Sequence, residues 1–280
     1  MLSPFFALIV STALLGADAA ENPRDGDPIT PTDNVQLFNG RDLSGLDTWL
    51  KDTGRQDPSG VFTVHDGMIH ISGEGRGYVA TERAYRDYHL TVEYRWGQRT
   101  DGGKDVRNSG VLLHGVGPDG AASGVWMTSI ECQLAQGCEG DLIVIRGKDA
   151  PGELFPATLT SETVRGADGR TRWRRGGERT VYSGKQFWWS QHDPEFKELL
   201  DTRGRWDVAS PRDEWTRVEC ICQGQRITIK INGTTVNECF DVHPASGKIL
   251  LQNEGHEVFF RRFELRPIAK ADLENGRPEK

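Results

Sequence analysis

The sequence contains no apolar run long enough to cross a membrane. The main candidate, Phe5–Leu15, is shorter than the about 20 residues that a transmembrane helix requires. It is followed by Ala17-Asp18-Ala19, which has the small-x-small form of a signal-peptidase site. We therefore expect residues 1–20 to be a signal peptide and the rest of the chain to be secreted or periplasmic, without membrane insertion.

The chain also lacks an excess of positive charge. It has 34 Lys and Arg against 41 Asp and Glu, which gives a formal net charge of −7. Asp18 is the only charged residue of the predicted signal peptide. The remaining charge is of both signs and acidic overall, and so gives no support to nucleic acid as a partner.

The paired C-x-x-C spacing of structural zinc sites is absent as well. Five cysteines are an odd number, so in an oxidising compartment at least one is unpaired or bonds between chains. Cys132 and Cys138 are close enough in sequence to bridge a hairpin. Cys220 and Cys222 lie two apart in a strand-like segment, so we expect both to face the same side as small apolar residues.

Alternation of period two dominates the chain, and no strong amphipathic helix competes with it. Residues 88–96 alternate apolar and polar side chains, which is typical of a strand with one buried face. Asp66-Gly67 and Asn232-Gly233 each separate two such segments and predict tight hairpins. Further strands are expected at 109–114, 127–134, 141–145, 215–222, 247–252 and 257–266. This pattern predicts an all-β fold of two antiparallel sheets, a jelly-roll sandwich.

The domain organisation follows from composition. Residues 21–34 are rich in Pro, Asp and Asn and are expected to be a flexible leader. A single β-sandwich should occupy residues 35–268, followed by a C-terminal tail at 269–280. Within it, 146–212 is polar, rich in Arg and too long for an ordinary connection. We expect an insertion that is either a lid over a binding site, carrying Trp188 and Trp189, or partly disordered.

Strand parity indicates where polar side chains gather, since residues two apart share a face. Three strands have a clear core face, formed by Val111, Leu113, Ile130, Cys132, Leu134, Ile249 and Leu251. Their opposite face carries Asn108, Leu112, His114, Ser129, Glu131, Gln133, Gln252 and Glu254. Neighbouring strands lie about 4.8 Å apart, so adjacent strands would join these side chains into one polar patch. The alternative is an ordinary solvated outer face.

Several segments, in order, resemble the 3-keto-disaccharide hydrolase domain family. They cover about residues 35–268 and comprise Leu37–Gly45, Arg107–Val111, Ser129–Gln133, Gly140–Asp141, Glu214–Thr216, Ile231–Gly233, Gly247–Gly255 and Val258–Leu265. The insertion matches least, and Arg262-Phe263 stands where the family pattern has Asn-Ile. The resemblance implies a concanavalin-like jelly roll. It also implies activity on glycosides that are oxidised to a ketone at C3 of one sugar.

The acid pattern of ordinary sandwich glucanases is missing. Laminarinase-type enzymes of this fold place three acids on one strand as E-x-D-x-x-E, whereas here the strand has Glu131 followed by Gln133 and Gln136. A C3 ketone removes the need for that set, because it acidifies the C2 hydrogen and lets the C1 substituent leave by elimination, with water added afterwards. One base, one proton donor and one group that stabilises the enolate suffice.

We accordingly predict Glu131 and His114 as the acid and base pair, with the order left open. Gln133, Gln252 and Asn108 would hold hydroxyl groups, and Glu254 or Arg107 would complete the site. No cofactor is required, although His114 and Glu131 could instead hold a divalent metal ion that polarises the ketone.

Two other functions fit the same residues. A non-catalytic sugar-binding module would use Trp188 and Trp189 to stack on sugar rings. An ordinary glucanase would act on unoxidised oligosaccharides. In all three cases the expected partner is a carbohydrate.

Overall fold

The computed structural model describes residues 26–148, 152–182, 186–189 and 191–274. The predicted signal peptide, the first part of the predicted leader and the end of the tail lie outside these residues. The described residues form eighteen β-strands and one short helix. They are β1 Val35–Gln36, β2 Leu46–Leu50, β3 Phe62–His65, β4 Met68–Ile71, β5 Gly77–Thr81, β6 Tyr88–Trp96, β7 Gly110–Val116, β8 Thr128–Gln133, β9 Leu142–Ile145, β10 Thr158–Arg165, β11 Thr171–Trp173, β12 Glu178–Tyr182, β13 Gln186–Trp189, β14 Thr216–Gln223, β15 Arg226–Ile231, β16 Thr234–His243, β17 Lys248–Asn253, β18 Val258–Arg266 and α1 Lys270–Glu274.

Two antiparallel sheets form a jelly-roll sandwich, as the alternation predicted. One sheet has the order β2–β5–β17–β7–β8–β9. The other has the order β3–β4–β18–β6–β14–β15–β16–β10–β12, with β1 beside the end of β18. Strand β13 pairs antiparallel with β9 and parallel with β11, and so joins the edges of the two sheets. No helix of the described residues is long and apolar enough to span a membrane.

The core lies between the sheets and contains every side chain that parity assigned to it. Val111, Leu113, Ile130, Ile249 and Leu251 are fully buried there. Cys220 and Cys222 also face this core, as predicted. All five cysteines are buried free thiols, so the hairpin bridge considered for Cys132 and Cys138 is not formed.

Both predicted hairpin turns are confirmed. Asp66 and Gly67 have φ of 48° and 74° between β3 and β4, and Asn232 and Gly233 have φ of 47° and 83° between β15 and β16. Positive φ at both central residues defines the type I′ turn, whose twist matches that of the flanking strands.

The described end of the predicted leader differs from expectation. Ile29 exchanges backbone hydrogen bonds with the 84–86 segment, donating to the Ala84 carbonyl (2.9 Å) and accepting from the Arg86 N–H (3.0 Å). Its side chain packs against the core. Ordered structure therefore begins before residue 35, because one apolar residue within a polar segment suffices to fix the chain to the sheet.

The described part of the insertion is folded rather than a loose connection. Its strands β10, β11 and β12 form an antiparallel arm that extends the second sheet from β16. The 196–202 segment is attached to the sandwich by an ion pair between the buried Arg107 and the exposed Asp201, in which Arg107 Nε lies 2.8 Å from Asp201 Oδ1. Gln136 adds a second attachment by donating from Nε2 to the same carboxylate (3.2 Å).

Candidate active site

The face of the first sheet that points away from the main core carries the candidate site. Leu112 on β7 lies opposite Glu131 on β8 and opposite Leu250 on β17. Gln252, two residues further along β17, pairs with Tyr78 on β5. Side chains of alternate residues on these adjacent strands therefore form continuous rows across the sheet, as parity predicted.

Glu131 and Gln252 meet over a position that has no side chain. Glu131 is 4% exposed and Gln252 is 1% exposed. A Cβ atom at Gly110 would lie 2.6 Å from Glu131 Oε1 and 2.7 Å from Gln252 Oε1. Such distances are too short for real contacts, so glycine at 110 is what allows the carboxyl and the amide to occupy this space.

Two carboxyl groups of this face influence each other. Burial raises the pKa of Glu131 well above its ordinary value, and the negative charge of Glu254 raises it further, against a hydrogen bond from Gln252. Burial also raises the pKa of Glu254, while Arg76 and the hydrogen bond from Asn108 oppose the rise. Since Glu131 is the more deeply buried of the two, we assign the proton to Glu131 and the negative charge to Glu254.

Asn108 connects the Glu254 carboxylate to an imidazole. Its side-chain Nδ2 donates to Glu254 Oε2, and its backbone N–H donates to His256 Nδ1 (3.2 Å). A neutral His256 that accepts at Nδ1 carries its proton on Nε2. That Nε2 has no hydrogen-bond partner among the described residues and lies 3.6 Å from Asp101 Oδ1.

The residues that contact the Glu131–Glu254 pair, directly or through Asn108, carry unpartnered polar atoms. Asn108 Oδ1, Gln252 Oε1 and His256 Nε2 are buried and accept or donate no hydrogen bond within the described residues. Buried polar atoms are normally paired, so three orphans at one place indicate a position where a polar ligand completes the hydrogen bonds.

Glu254 forms part of the lining of a pocket of about 450 Å³. Asp101 lines the same pocket, together with the cationic side chains Lys51, Arg76 and Arg99. A volume of this order suits a small saccharide. The pocket gives solvent-borne ligands access to the ionised member of the carboxyl pair.

His114 does not join this site, so its predicted pairing with Glu131 is wrong. A β-bulge lies between Leu113 and Val116, and His114 has a φ of 56°. The extra residue reverses the parity, and the ring points into the core against Tyr88 (ring centroids 5.9 Å apart). Its Nδ1 lies 2.9 Å from the Pro244 carbonyl oxygen. Burial lowers the pKa of His114 to about 4.

Arg107 and Gln133 are near the site but serve the backbone and the insertion. Arg107 binds Asp201, as described above, and donates from Nη1 to the Arg99 carbonyl (3.1 Å). The Gln133 carbonyl oxygen accepts from the backbone N–H groups of Leu134 (2.8 Å) and Ala135 (3.0 Å). Both side chains thus shape the loops around the site, and Arg107 does not complete the catalytic set.

Trp188 packs within the protein instead of presenting a free ring to sugar. Its ring centroid is 4.3 Å from the Arg170 guanidinium carbon and 4.2 Å from the His192 ring centroid. It also contacts the small cluster formed by Val106, Ala135 and Cys138. The structure thus gives Trp188 packing partners of its own, and its stacking on a sugar ring stays a prediction. The side chain of Trp189 lies outside what the structure describes.

Three residues that contribute to the candidate site were not predicted from the sequence: Gly110, Arg76 and His256. His256 could have been predicted, because it lies two residues beyond Glu254 and continues the alternation of Gln252 and Glu254. Gly110 and Arg76 gave no such signal, since a missing side chain and an exposed arginine are recognisable only from their neighbours in space.

His114 and Glu131 also cannot share a metal ion, because the bulge turns the His114 ring into the core. Within the described ranges, no group of three or more His, Cys, Asp or Glu is arranged to hold a metal ion.

The chain belongs to the family of 3-keto-alpha-glucoside-1,2-lyase-like domains. The family model matches residues 33–266, which include both sheets, the insertion and every residue of the candidate site. Membership identifies the chain as a glycoside-acting, hydrolase-like domain at the level of class. No curated protein matches the chain.

Solved structures share the fold at low sequence identity. A protein from Parabacteroides distasonis ATCC 8503, proposed to be a glycosyl hydrolase, has a TM-score of 0.50 at 15% identity, covering 85% of this chain and 94% of that one. A second such protein from the same organism has a TM-score of 0.46 at 16% identity, covering 84% and 99%. LamAcat from Zobellia galactanivorans has a TM-score of 0.43 at 10% identity, covering 85% and 96%. The first likeness supports the fold and nothing more.

Proposed function

We propose that the protein cleaves the glycosidic bond of 3-keto-glycosides by removing the C2 proton, eliminating the C1 substituent and then adding water. The observation that carries this proposal is the pair Glu131 and Glu254, one protonated and one ionised, with unpartnered polar atoms around it and a pocket beside it. The family description supports the choice of an oxidised sugar.

Each carboxyl group has one role in the elimination. The Glu254 carboxylate takes the proton from C2, whose acidity comes from the neighbouring C3 ketone. The electron pair forms the C1–C2 double bond while the bond from C1 to the glycosidic oxygen breaks. Glu131 gives its proton to that oxygen, so the leaving group departs as a neutral alcohol.

The second half of the reaction restores both groups. After the elimination Glu254 carries the proton and Glu131 is ionised. Glu131 then takes a proton from water, whose oxygen adds to C1, and Glu254 returns its proton to C2. The product is the free 3-keto sugar, and no external acid, base or oxidant is consumed.

The negative charge that develops on the C3 oxygen needs a donor. His256 supplies one, because Asn108 fixes its tautomer and leaves an unpartnered Nε2–H toward Asp101, which lines the pocket. A donor held in place before the reaction stabilises an oxyanion without a reorganisation cost. Gln252 and Asn108 retain free carbonyl oxygens that are suited to sugar hydroxyls.

The principal rival is an ordinary glycosidase, since two carboxyl groups are also what such an enzyme uses. It would hydrolyse the unoxidised parent glycoside. A binding module is a weaker rival. Sugar binding by stacking and hydrogen bonding does not require a buried, protonated carboxyl group, whereas proton transfer does. We further propose, from residues 1–20, that the protein acts after export.

The experiment compares a 3-keto disaccharide with its unoxidised parent, using the wild-type protein, Glu131→Gln and the control Glu139→Gln. We expect turnover of the ketone alone, with a primary isotope effect on substrate deuterated at C2. Glu131→Gln should lower kcat about 100-fold to 10,000-fold with binding retained, and Glu139→Gln should leave it within about threefold. Turnover of the parent without a C2 isotope effect would contradict the proposal, as would full activity of Glu131→Gln.

A further inference from the structure

A second pocket, formed entirely by the insertion, lies apart from the Glu131 site. It measures about 390 Å³ and shares no lining residue with the pocket at Glu254. Its walls are the end of β10 with the following turn, the end of β11, and the loops at 191–194 and 206. The lining residues are Val164, Arg165, Gly166, Ala167, Arg172, Arg174, Gln191, His192, Pro194 and Trp206.

The pocket is lined by three arginines and by no carboxylate. Arg172 is 5% exposed and held rigidly, since Asp168 accepts from its Nη1 (2.6 Å) and its Nη2 (2.8 Å). The guanidinium groups of Arg165 and Arg174 are exposed, and neither has a hydrogen bond or ion pair with any described residue. Two cations are therefore available at the rim of a pocket whose floor is fixed.

This positive region stands out against the rest of the molecule. Residues 165–179 contain six arginines and two acids, and three of these arginines line the pocket, in a chain whose net charge is −7. His192, also in the lining, contributes hydrogen bonding without charge, because burial and then the nearby Arg170 lower the pKa of His192 to about 4. Its Nε2 lies 3.3 Å from Arg170 Nη1, which donates to it.

The remaining wall is aromatic. Trp206 is 48% exposed, an unusual exposure for so large an apolar side chain, and its neighbour Arg205 lies over the ring at 5.2 Å from the centroid. A flat indole ring beside arginines and the Gln191 amide matches a ligand that has both a sugar ring and an acidic group.

We propose that this pocket is an accessory binding site for an acidic saccharide, in which the carboxylate of a uronic acid unit pairs with the exposed arginines of the lining, Arg165 and Arg174, and the sugar ring lies on Trp206. The site is independent of the cleavage reaction. It would hold the protein on an acidic polysaccharide while the Glu131 site remains open to its own substrate.

The test measures binding of trigalacturonate, with maltotriose as the neutral probe, by titration calorimetry on the whole protein at two salt concentrations. We expect trigalacturonate to bind with salt-dependent affinity and maltotriose to bind at least tenfold more weakly. The double variant Arg165→Gln/Arg174→Gln and the single variant Trp206→Ala should each weaken trigalacturonate binding at least tenfold. Turnover at the Glu131 site should stay unchanged.

The matched control is Arg179→Gln/Arg226→Gln, which removes two exposed arginines of another pocket, where they lie against Phe240. Equal loss in this control would overturn the proposal, because the binding would then reflect net charge alone. No measurable binding of trigalacturonate by wild-type protein would overturn it too. So would a single-stranded DNA oligonucleotide that binds more tightly and loses affinity in the same variants.

Discussion

Two pairs of acids among the described residues, each with one buried and one half-buried member, differ in their surroundings. Glu131 and Glu254 lie on the face of the first sheet, and Glu139 and Asp207 lie where the turn after β8 meets the insertion. Burial is the largest cause of the raised pKa in all four, and it raises the pKa of Glu139 to about 8. Desolvation alone therefore does not distinguish the two pairs.

The pairs differ in how their neighbours are satisfied. Around Glu139 and Asp207 the protein itself supplies the donors: backbone N–H groups bind Glu139, the Gly204 N–H binds Asp207 (2.7 Å), and Arg203 is close to both. Around Glu131 and Glu254 three buried polar atoms have no described partner. A perturbed carboxyl group thus indicates a site only where the protein leaves hydrogen bonds for a ligand to complete.

The largest expected effect comes from filling the space that Glu131 and Gln252 share. In Gly110→Ala the new Cβ would collide with Glu131 Oε1 and Gln252 Oε1, so both side chains must move. Because displacement by about 1 Å can reduce turnover 100-fold, we expect kcat on a 3-keto disaccharide to fall at least that far. Steady-state kinetics with melting curves provide the measurement.

Gly204→Ala is the control for this substitution, since its Cβ would meet the Asp207 side chain at 2.6 Å, and neither residue lines the pocket at Glu254. Its kcat should stay within about threefold of wild type. Wild-type turnover by Gly110→Ala would show that the positions of Glu131 and Gln252 do not matter.

An intermediate effect is expected at Glu139, and it concerns the free energy of unfolding instead of turnover. Burial raises the pKa of Glu139 in the folded state to about 8 from its ordinary value of 4.5, so between these pH values the folded state keeps a proton that the unfolded state loses. Its contribution is fully present below pH 4.5 and declines as pH rises through 8, by up to about 1.4 kcal/mol per pH unit. Glu139→Gln should remove that slope.

Urea unfolding at pH 5, 6.5 and 8 measures this difference. Glu139→Gln should match the wild type most closely at pH 5 and exceed its free energy of unfolding at pH 8. If the free energy of unfolding depended on pH identically in the two proteins, Glu139 would be ionised in the folded state. Glu139 would then not be an acid with a raised pKa, as Glu131 is.

The candidate active site at Glu131 was partly predictable because side chains along a strand alternate strictly between its two faces. Once Val111, Ile130 and Leu251 were placed in the core, the positions of Glu131 and Gln252 on the other face followed. The prediction ended where the backbone departs from regular geometry. His114 and Arg262 have φ of 56° and 51° at bulges, and bulges depend on the partner strand, which alternation in one strand does not reveal.

The insertion was the least predictable region for a related reason. Strands β10, β11 and β12 are rich in polar residues, β11 has only three residues, and all three are stabilised by pairing with one another and, in the case of β10, with the distant β16. Arg107 illustrates the difficulty: a buried arginine is explained by Asp201, 94 positions away. Without that partner the sequence suggests a substrate-binding cation instead.

His114 offers the smallest and most specific test of the comparison. Its pKa is lowered and its Nε2 has no hydrogen-bond partner among the described residues, but its Nδ1 is engaged by Pro244, its ring lies in the core and it does not line the pocket at Glu254. Asn tolerates positive φ better than most residues and retains a donor for the Pro244 carbonyl. His114→Asn should therefore lower the free energy of unfolding by about 1–3 kcal/mol, through lost packing, and leave kcat/KM within about threefold. His256→Asn, measured beside it, should lower kcat/KM at least tenfold, and the reverse order of the two variants would place the functional imidazole at 114.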